Sequence, residues 1–170
     1  MTRGLKRRYG RDELHFLTFS CHQRREFLIE NRARDLFASE LARARREYGF
    51  RLVGYVVMPN HVHLLVGEPK KGTVSTVLQM LKQRVARKMR KGREGQVGSA
   101  PAYDERKASA FWQARFYDFN VYSREKMNEK LNYIHANPVV RRLVDHPRDW
   151  MWSSWSNYVD GTGLIEVDVM

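Results

Sequence analysis

The sequence predicts an α+β domain, with one antiparallel sheet, two helices on one face and a further helix after the last strand. Three observations point to it. Four stretches rich in aromatic and β-branched residues alternate with two stretches of helical periodicity, in the order β-α-β-β-α-β. The second and third strands are separated only by the short turn Met58-Pro59-Asn60, which makes them a hairpin. No internal repeat or linker divides the chain. That order is the ferredoxin-like arrangement, and it reads as a single domain over residues 1–170 with a core at about 9–158.

The elements follow in order. Residues 14–21, LHFLTFSC, read as the first strand. Residues 31–48 place Ala33, Leu36, Phe37, Leu41 and Ala44 at helical spacing, and Gly49 ends that helix. Residues 51–57, RLVGYVV, form the second strand and residues 61–66 the third. A second helix covers about 74–91, with the apolar stripe Val74, Val77, Leu78, Leu81 and Val85. Residues 92–109 are polar and rich in Gly, Ala and Ser, which predicts a mobile loop. Strand-like composition returns at 111–121. The third helix starts after the N-cap Ser123 and runs to about Ala136, because Pro138 disfavours helical geometry at Asn137. Trp150, Trp152 and Trp155 in the tail are expected to pack back on the body.

Composition narrows the function. No apolar run approaches the roughly 20 residues that a membrane helix requires. The N-terminal stretch has charge but no apolar region after it, so a secretory signal is not expected and a cytoplasmic protein is. Cys21 is the only cysteine, which excludes an internal disulfide and a cysteine-based zinc cluster. Thirty-one Lys and Arg against 19 Asp and Glu give a net charge of +12. A polyanionic partner follows, nucleic acid before an anionic membrane, with binding that weakens steeply in salt. Lys82, Arg84, Arg87, Lys88, Arg90 and Lys91 crowd the end of the second helix. They suit the helix dipole, yet six cations exceed what capping needs, so the surface faces either phosphate or solvent.

His61 and His63 carry the chemical argument. Residues i and i+2 of a strand point to one side, so both imidazoles leave the same face while Val62 anchors the strand in the core. Two imidazoles alone suit zinc, copper or nickel; oxygen ligands and waters beside them are needed to favour magnesium or manganese. On the third helix, Met127, Leu131 and Ile134 form the apolar stripe, and at 100° per residue Tyr133 falls more than 90° from its centre. Tyr133 shares its face with Lys126, Lys130 and Asn137, the last one turn further on. Asn137 is either a metal ligand beside a nucleophilic tyrosine or simply the end of the helix.

These motifs resemble a known family. Tyr55-Val56-Val57-Met58-Pro59-Asn60-His61-Val62-His63-Leu64-Leu65 is similar to the HUH motif of single-tyrosine transposases. Asn132-Tyr133-Ile134-His135-Ala136-Asn137-Pro138-Val139 is similar to their tyrosine helix, and Phe111–Asp118 and Trp152-Ser153-Ser154-Trp155 also fit. The resemblance is to the REP-associated tyrosine transposases of the insertion-sequence-200-like group. It implies cleavage of hairpin-bearing single-stranded DNA through a 5′-phosphotyrosine, with a magnesium or manganese cofactor and a bacterial, nucleoid-associated location. Carried over by motif, Tyr133 becomes the nucleophile and His61, His63 and Asn137 the metal ligands. Many relatives have Gln where Asn137 stands, so a shorter arm bears the amide oxygen here; whether the chain is a monomer or a homodimer stays open.

Secondary assignments complete the set. Lys82, Arg84, Arg87, Lys88, Arg115 and Lys130 are the candidate DNA contacts, Lys130 either favouring the phenolate or being an ordinary surface lysine. Tyr117 is the rival nucleophile, with a packing role preferred, and His135 is assigned to structure. Trp112, Phe116 and Phe119 can stack on bases, with core packing the default. Two other readings are weighed: an RRM-like module that binds single-stranded nucleic acid without cutting it, and a zinc hydrolase, which lacks a glutamate base near the histidines.

Overall fold

The computed structural model describes Gly10, residues 12–94 and residues 110–170. Strands β1 (Leu14–Ser20), β2 (Leu52–Val57), β3 (His61–Gly67) and β4 (Tyr117–Val121) form one antiparallel sheet in the spatial order β2-β3-β1-β4. Helices α1 (Asn31–Tyr48) and α2 (Val74–Glu94) make the two crossovers. This is the predicted ferredoxin-like order, with α3 (Arg124–Val140) and the short α4 (Trp155–Val159) following it.

Alternation along the strands gives the sheet two different faces. Leu17, Leu64 and Val66 share an apolar space with Leu41 of α1 and with Val74, Val77, Leu78 and Leu81 of α2. Phe19 on the same face meets Phe37 of α1 with ring centroids 6.0 Å apart. The stripes read from the sequence are therefore the ones buried, except that Leu36 is only half-buried. The other face is covered by α3, whose Leu131 and Ile134 lie over Gly54 of β2. A Cβ placed on Gly54 would stand 2.7 Å from Leu131 Cδ1, so the bare backbone there makes room for the Leu131 side chain.

Three boundaries differ from expectation by more than a residue. Helix α2 continues to Glu94, so the expected mobile loop loses residues 92–94; its remainder, 95–109, lies outside the described residues. The fourth strand is only Tyr117–Val121. Before it, Trp112 makes an isolated bridge to Cys21 and packs on Phe19 and Phe37, so the aromatic composition at 111–116 reflects core packing and not sheet extension. Helix α3 runs through Pro138 to Val140. A proline this near a C-terminus removes one donor, and the last turn is closed instead by Arg141 N–H donating to Asn137 O and Leu143 N–H donating to Pro138 O.

The tail packs back as expected and reaches further, past residue 158. Val57 N–H donates to Trp152 O, Ser154 N–H to Tyr55 O, and Asp168 N–H to Leu52 O, so the C-terminal segment lies along the outer edge of β2. Trp150 and Trp152 are buried, and the Arg34 guanidinium stacks 3.9 Å from the Trp152 ring. Among the described residues no helix is long and apolar enough to cross a membrane.

One buried ion pair ties β1 to β4. His15 Nδ1 lies 2.8 Å from Asp118 Oδ1, with Glu68 Oε1 3.7 Å from Nε2. Burial alone would lower the His15 pKa, but hydrogen bonding and charge from Asp118, helped by Glu68, raise it above the ordinary 6.5. A raised folded-state value gives a contribution that is complete below pH 6.5 and is lost as pH climbs through the folded value. The stability difference between wild type and Asp118→Asn should therefore shrink as pH rises from 6.5, read from urea denaturation midpoints. A difference that is constant or grows with pH contradicts the charged pair.

Candidate active site

Strand register places His63 opposite Thr18 of β1 and Val56 of β2, and His61 opposite Ser20. Both imidazoles therefore leave the face that α3 covers, and their ring centroids are 4.8 Å apart. Each is held by its Nδ1: Asn60 Oδ1 is 2.6 Å from that of His61, and Thr18 Oγ1 is 2.7 Å from that of His63. With Nδ1 engaged, Nε2 is the atom each ring has left to offer a ligand, that of His63 being met here by Asn137. Asn60 is itself fixed, since its Nδ2 donates to Arg24 O at 3.3 Å.

Helix α3 brings the other two candidates. Met127, Leu131 and Ile134 are buried, and the helical phase that hides them turns Tyr133 to the flank, where it is 49% exposed. Its ring centroid lies 5.1 Å from that of His63 and 6.0 Å from that of Phe16. Asn137, one turn later, is 3% exposed and places Nδ2 3.3 Å from His63 Nε2. The helix continues beyond it, so terminating the helix does not account for its position. Asn137 Oδ1 is buried without a hydrogen bond of normal geometry among the described residues. Turning the amide over exchanges the two atoms without altering its shape.

The electrostatics keep both rings neutral. Burial pushes His61 down to about 4, with the charges of Arg141 and then Arg24 acting in the same direction and Asn137 partly opposing. Burial, His61 and Arg141 push His63 to about 3. Neutral imidazole is the form that binds a metal. Two such rings beside an unpaired buried amide oxygen fit a divalent cation with mixed nitrogen and oxygen donors. No group of three or more His, Cys, Asp or Glu able to hold a metal occurs among the described residues, so Asn137 is the third donor this site offers.

The remaining candidates scatter. Lys130 sits with Nζ 5.2 Å from the Phe16 centroid and 5.0 Å from that of Phe119, and pairs with Glu129 at 3.4 Å. Helix α2 lies on the opposite face of the sheet from the histidines. There Lys82 donates to Gln113 O at 2.7 Å, Arg84 makes a two-pronged bond to Glu47, and Lys88 pairs with Glu40. Arg87 and Arg115 are exposed. His135 points away from the site, with Nε2 2.9 Å from Ser154 Oγ. Trp112 is buried and Phe116 and Phe119 are partly buried, while Tyr117 packs edge-on against Phe16 and is also 43% exposed.

Sequence reasoning missed the supporting residues. Thr18 and Asn60 carry no motif of their own. Arg24 approaches through a backbone feature that its residue type conceals, since Gln23 and Arg24 both have positive φ, 53° and 55°. Such left-handed geometry is unfavourable for these residues and is held here by the hydrogen bond from Asn60. Arg141 is one turn past Asn137 and was hidden by the helix end expected at Pro138.

A ferredoxin-like sheet bearing a histidine pair, covered by a helix that presents an exposed tyrosine, is the arrangement that the resemblance of the motifs implies. The family model described as IS200-like transposase matches residues 12–137, and the chain belongs to that family. A Haemophilus influenzae protein named as a REP-associated tyrosine transposase is 25% identical over 151 residues, covering 88% of this chain and 84% of its own. A solved REP-associated tyrosine transposase bound to a REP hairpin matches with a TM-score of 0.72 at 20% identity, over 99% of this chain and 94% of that one. A Deinococcus radiodurans crystal structure named as a transposase gives 0.51 at 22% identity, over 79% and 95%. The resemblance read from the motifs is thus borne out, as is the fold.

The two sides of α3 should respond differently to mutation. Tyr133→Phe is expected to change unfolding free energy by no more than about 0.5 kcal/mol, because its hydroxyl is at the surface. Ile134→Ala, next to it and fully buried, should lose about 2–5 kcal/mol. Chemical denaturation of both variants checks the assignment of faces; a large loss in Tyr133→Phe contradicts it.

Proposed function

We propose that the chain cleaves and rejoins single-stranded DNA at hairpin-bearing sites, through a covalent 5′-phosphotyrosine on Tyr133. The observation that carries this reading is the packing of the exposed Tyr133 ring against His63, which in turn contacts Asn137. Family membership supports strand transfer as the reaction class, and the hairpin bound by the structural neighbour supports hairpin-bearing DNA as the substrate.

The chemistry follows from the groups present. Tyr133 Oη attacks phosphorus, the bond from phosphorus to the 3′ oxygen breaks, and the phenolic proton is lost as the 3′ oxygen leaves and takes up a proton. The diester is conserved on the enzyme, so attack by a 3′-hydroxyl reverses the step without an external energy source. His61, His63 and Asn137 would hold Mg2+ or Mn2+, which when bound supplies charge stabilisation at the phosphate. Thr18 and Asn60 orient the two imidazoles. Arg141 and Arg24, whose charges reach the histidines, place positive potential where a phosphate would lie.

Incubation of the protein with hairpin-bearing single-stranded DNA and Mn2+ should give a covalent protein–DNA adduct on denaturing gels. Tyr133→Phe should abolish it, and His63→Ala should abolish it while DNA binding is retained. No adduct with any such DNA, or an adduct that survives Tyr133→Phe, overturns the proposal. Retained binding without cleavage in the wild type would favour a non-catalytic binding module.

The metal centre has a separate readout. Thr18→Val keeps the side-chain shape but removes the partner of His63 Nδ1. Calorimetric titration of Mn2+ into this variant should show affinity reduced by about 10- to 100-fold. An unchanged affinity would remove Thr18 from the site, and no Mn2+ binding by the wild type would remove the metal.

A further inference from the structure

Tyr117 packs one part of its ring on Phe16 and leaves the rest exposed. It lies on β4, the last strand of the sheet among the described residues, directly opposite Thr18, which is directly opposite His63. The three therefore share one row on one face. Tyr117 stands two strand spacings, about 10 Å, from His63. Its ring meets Phe16 at 6.5 Å with an interplanar angle of 73°, and Phe16 meets Tyr133 from another direction at 6.0 Å and 80°. Phe16 is itself 4% exposed, so it forms a floor between two tyrosines that are 43% and 49% exposed.

An exposed aromatic residue alone is unremarkable on a protein surface. Here the ring has a defined perch, lies in the row of the histidines, and is flanked by the Lys130 ammonium held over Phe16 and Phe119. A flat aromatic face beside a fixed cation is what an unpaired nucleobase and its phosphate require together. We propose that Tyr117, standing on the Phe16–Thr18 floor, is a stacking subsite for a nucleobase of single-stranded DNA adjoining the phosphate presented to Tyr133. The strand then lies across the sheet from the histidine row toward β4, and Tyr117 positions it by its face, with no part for its hydroxyl. This rests on the strand-cleavage reading of the site.

The test uses hairpin-bearing single-stranded oligonucleotides in which one base at a time is replaced by an abasic residue, with affinity measured by fluorescence anisotropy. The Tyr133→Phe chain serves as parent so that no strand is cut. At one position beside the cleavage point, the abasic strand should bind the parent about 5- to 100-fold more weakly than the intact strand. Adding Tyr117→Ala should weaken the intact strand by a similar factor and erase the abasic penalty at that position. Tyr117→Phe should restore both, whereas Tyr117→Leu, of similar bulk without a flat face, should behave as alanine does. Undiminished affinity in Tyr117→Ala, or abasic penalties that persist in it at every position, overturns the subsite.

The cleavage reading fails separately. Adduct formation by the chain with Tyr133 intact, without coupling at Tyr117, keeps cleavage and discards the subsite. Coupling at Tyr117 without any adduct keeps a base-binding face and discards cleavage. A chain that binds no single strand discards both.

Discussion

Helix α3 is seated on the sheet by Leu131 and Ile134, which lie over Gly54, and this seating brings Asn137 to His63 and stands Tyr133 beside it. A Cβ at Gly54 would meet the Leu131 Cδ1 methyl at 2.7 Å and force that side chain to shift. The bare backbone lets Leu131 and Ile134 seat directly on the strand that borders β3. Once those anchors are fixed, the helical repeat leaves little freedom for residues 133 and 137: one emerges at the flank and the other lands over the imidazoles. The site thus depends on apolar anchors of α3 that lie apart from its reactive atoms.

The sheet separates folding from chemistry. Its α1 and α2 side carries the large apolar contacts, and three of the cations there are committed to the protein itself, Arg84 to Glu47, Lys88 to Glu40 and Lys82 to a carbonyl. On the α3 side the buried Asn137 Oδ1 has no hydrogen-bond partner among the described residues. Such incompleteness is unfavourable for a fold taken alone and useful for holding a ligand. The charge of the chain as a whole therefore says less about where a polyanion lies than Arg24, Arg141 and Lys130 do, which border the histidine face.

What the sequence made legible was whatever periodicity controls. The stripes of α1 and α2, the shared face of His61 and His63, and the displacement of Tyr133 from the Met127–Leu131–Ile134 stripe are all consequences of strand and helix repeat. What it concealed depends on tertiary context. Pro138 sits inside the last turn of α3 because neighbouring carbonyls find other donors, which local preference cannot anticipate. Trp112 resembles a strand residue because core aromatics and strand aromatics share a composition. Arg24 approaches His61 only through two left-handed residues, and nothing in Gln23-Arg24 announces that geometry. The exposure of Tyr117 was equally hidden, because an edge strand can present an aromatic outward as easily as inward.

The C-terminal segment along β2 has a consequence of another kind. Trp152, Ser154 and Asp168 occupy backbone groups that an unprotected edge strand would offer to any passing chain. Growth of a continuous ribbon by edge pairing needs both margins of every sheet it recruits. A sheet with one margin already taken can end such a ribbon but cannot extend it. The C-terminal segment thereby closes the β2 margin of the sheet to pairing of that kind.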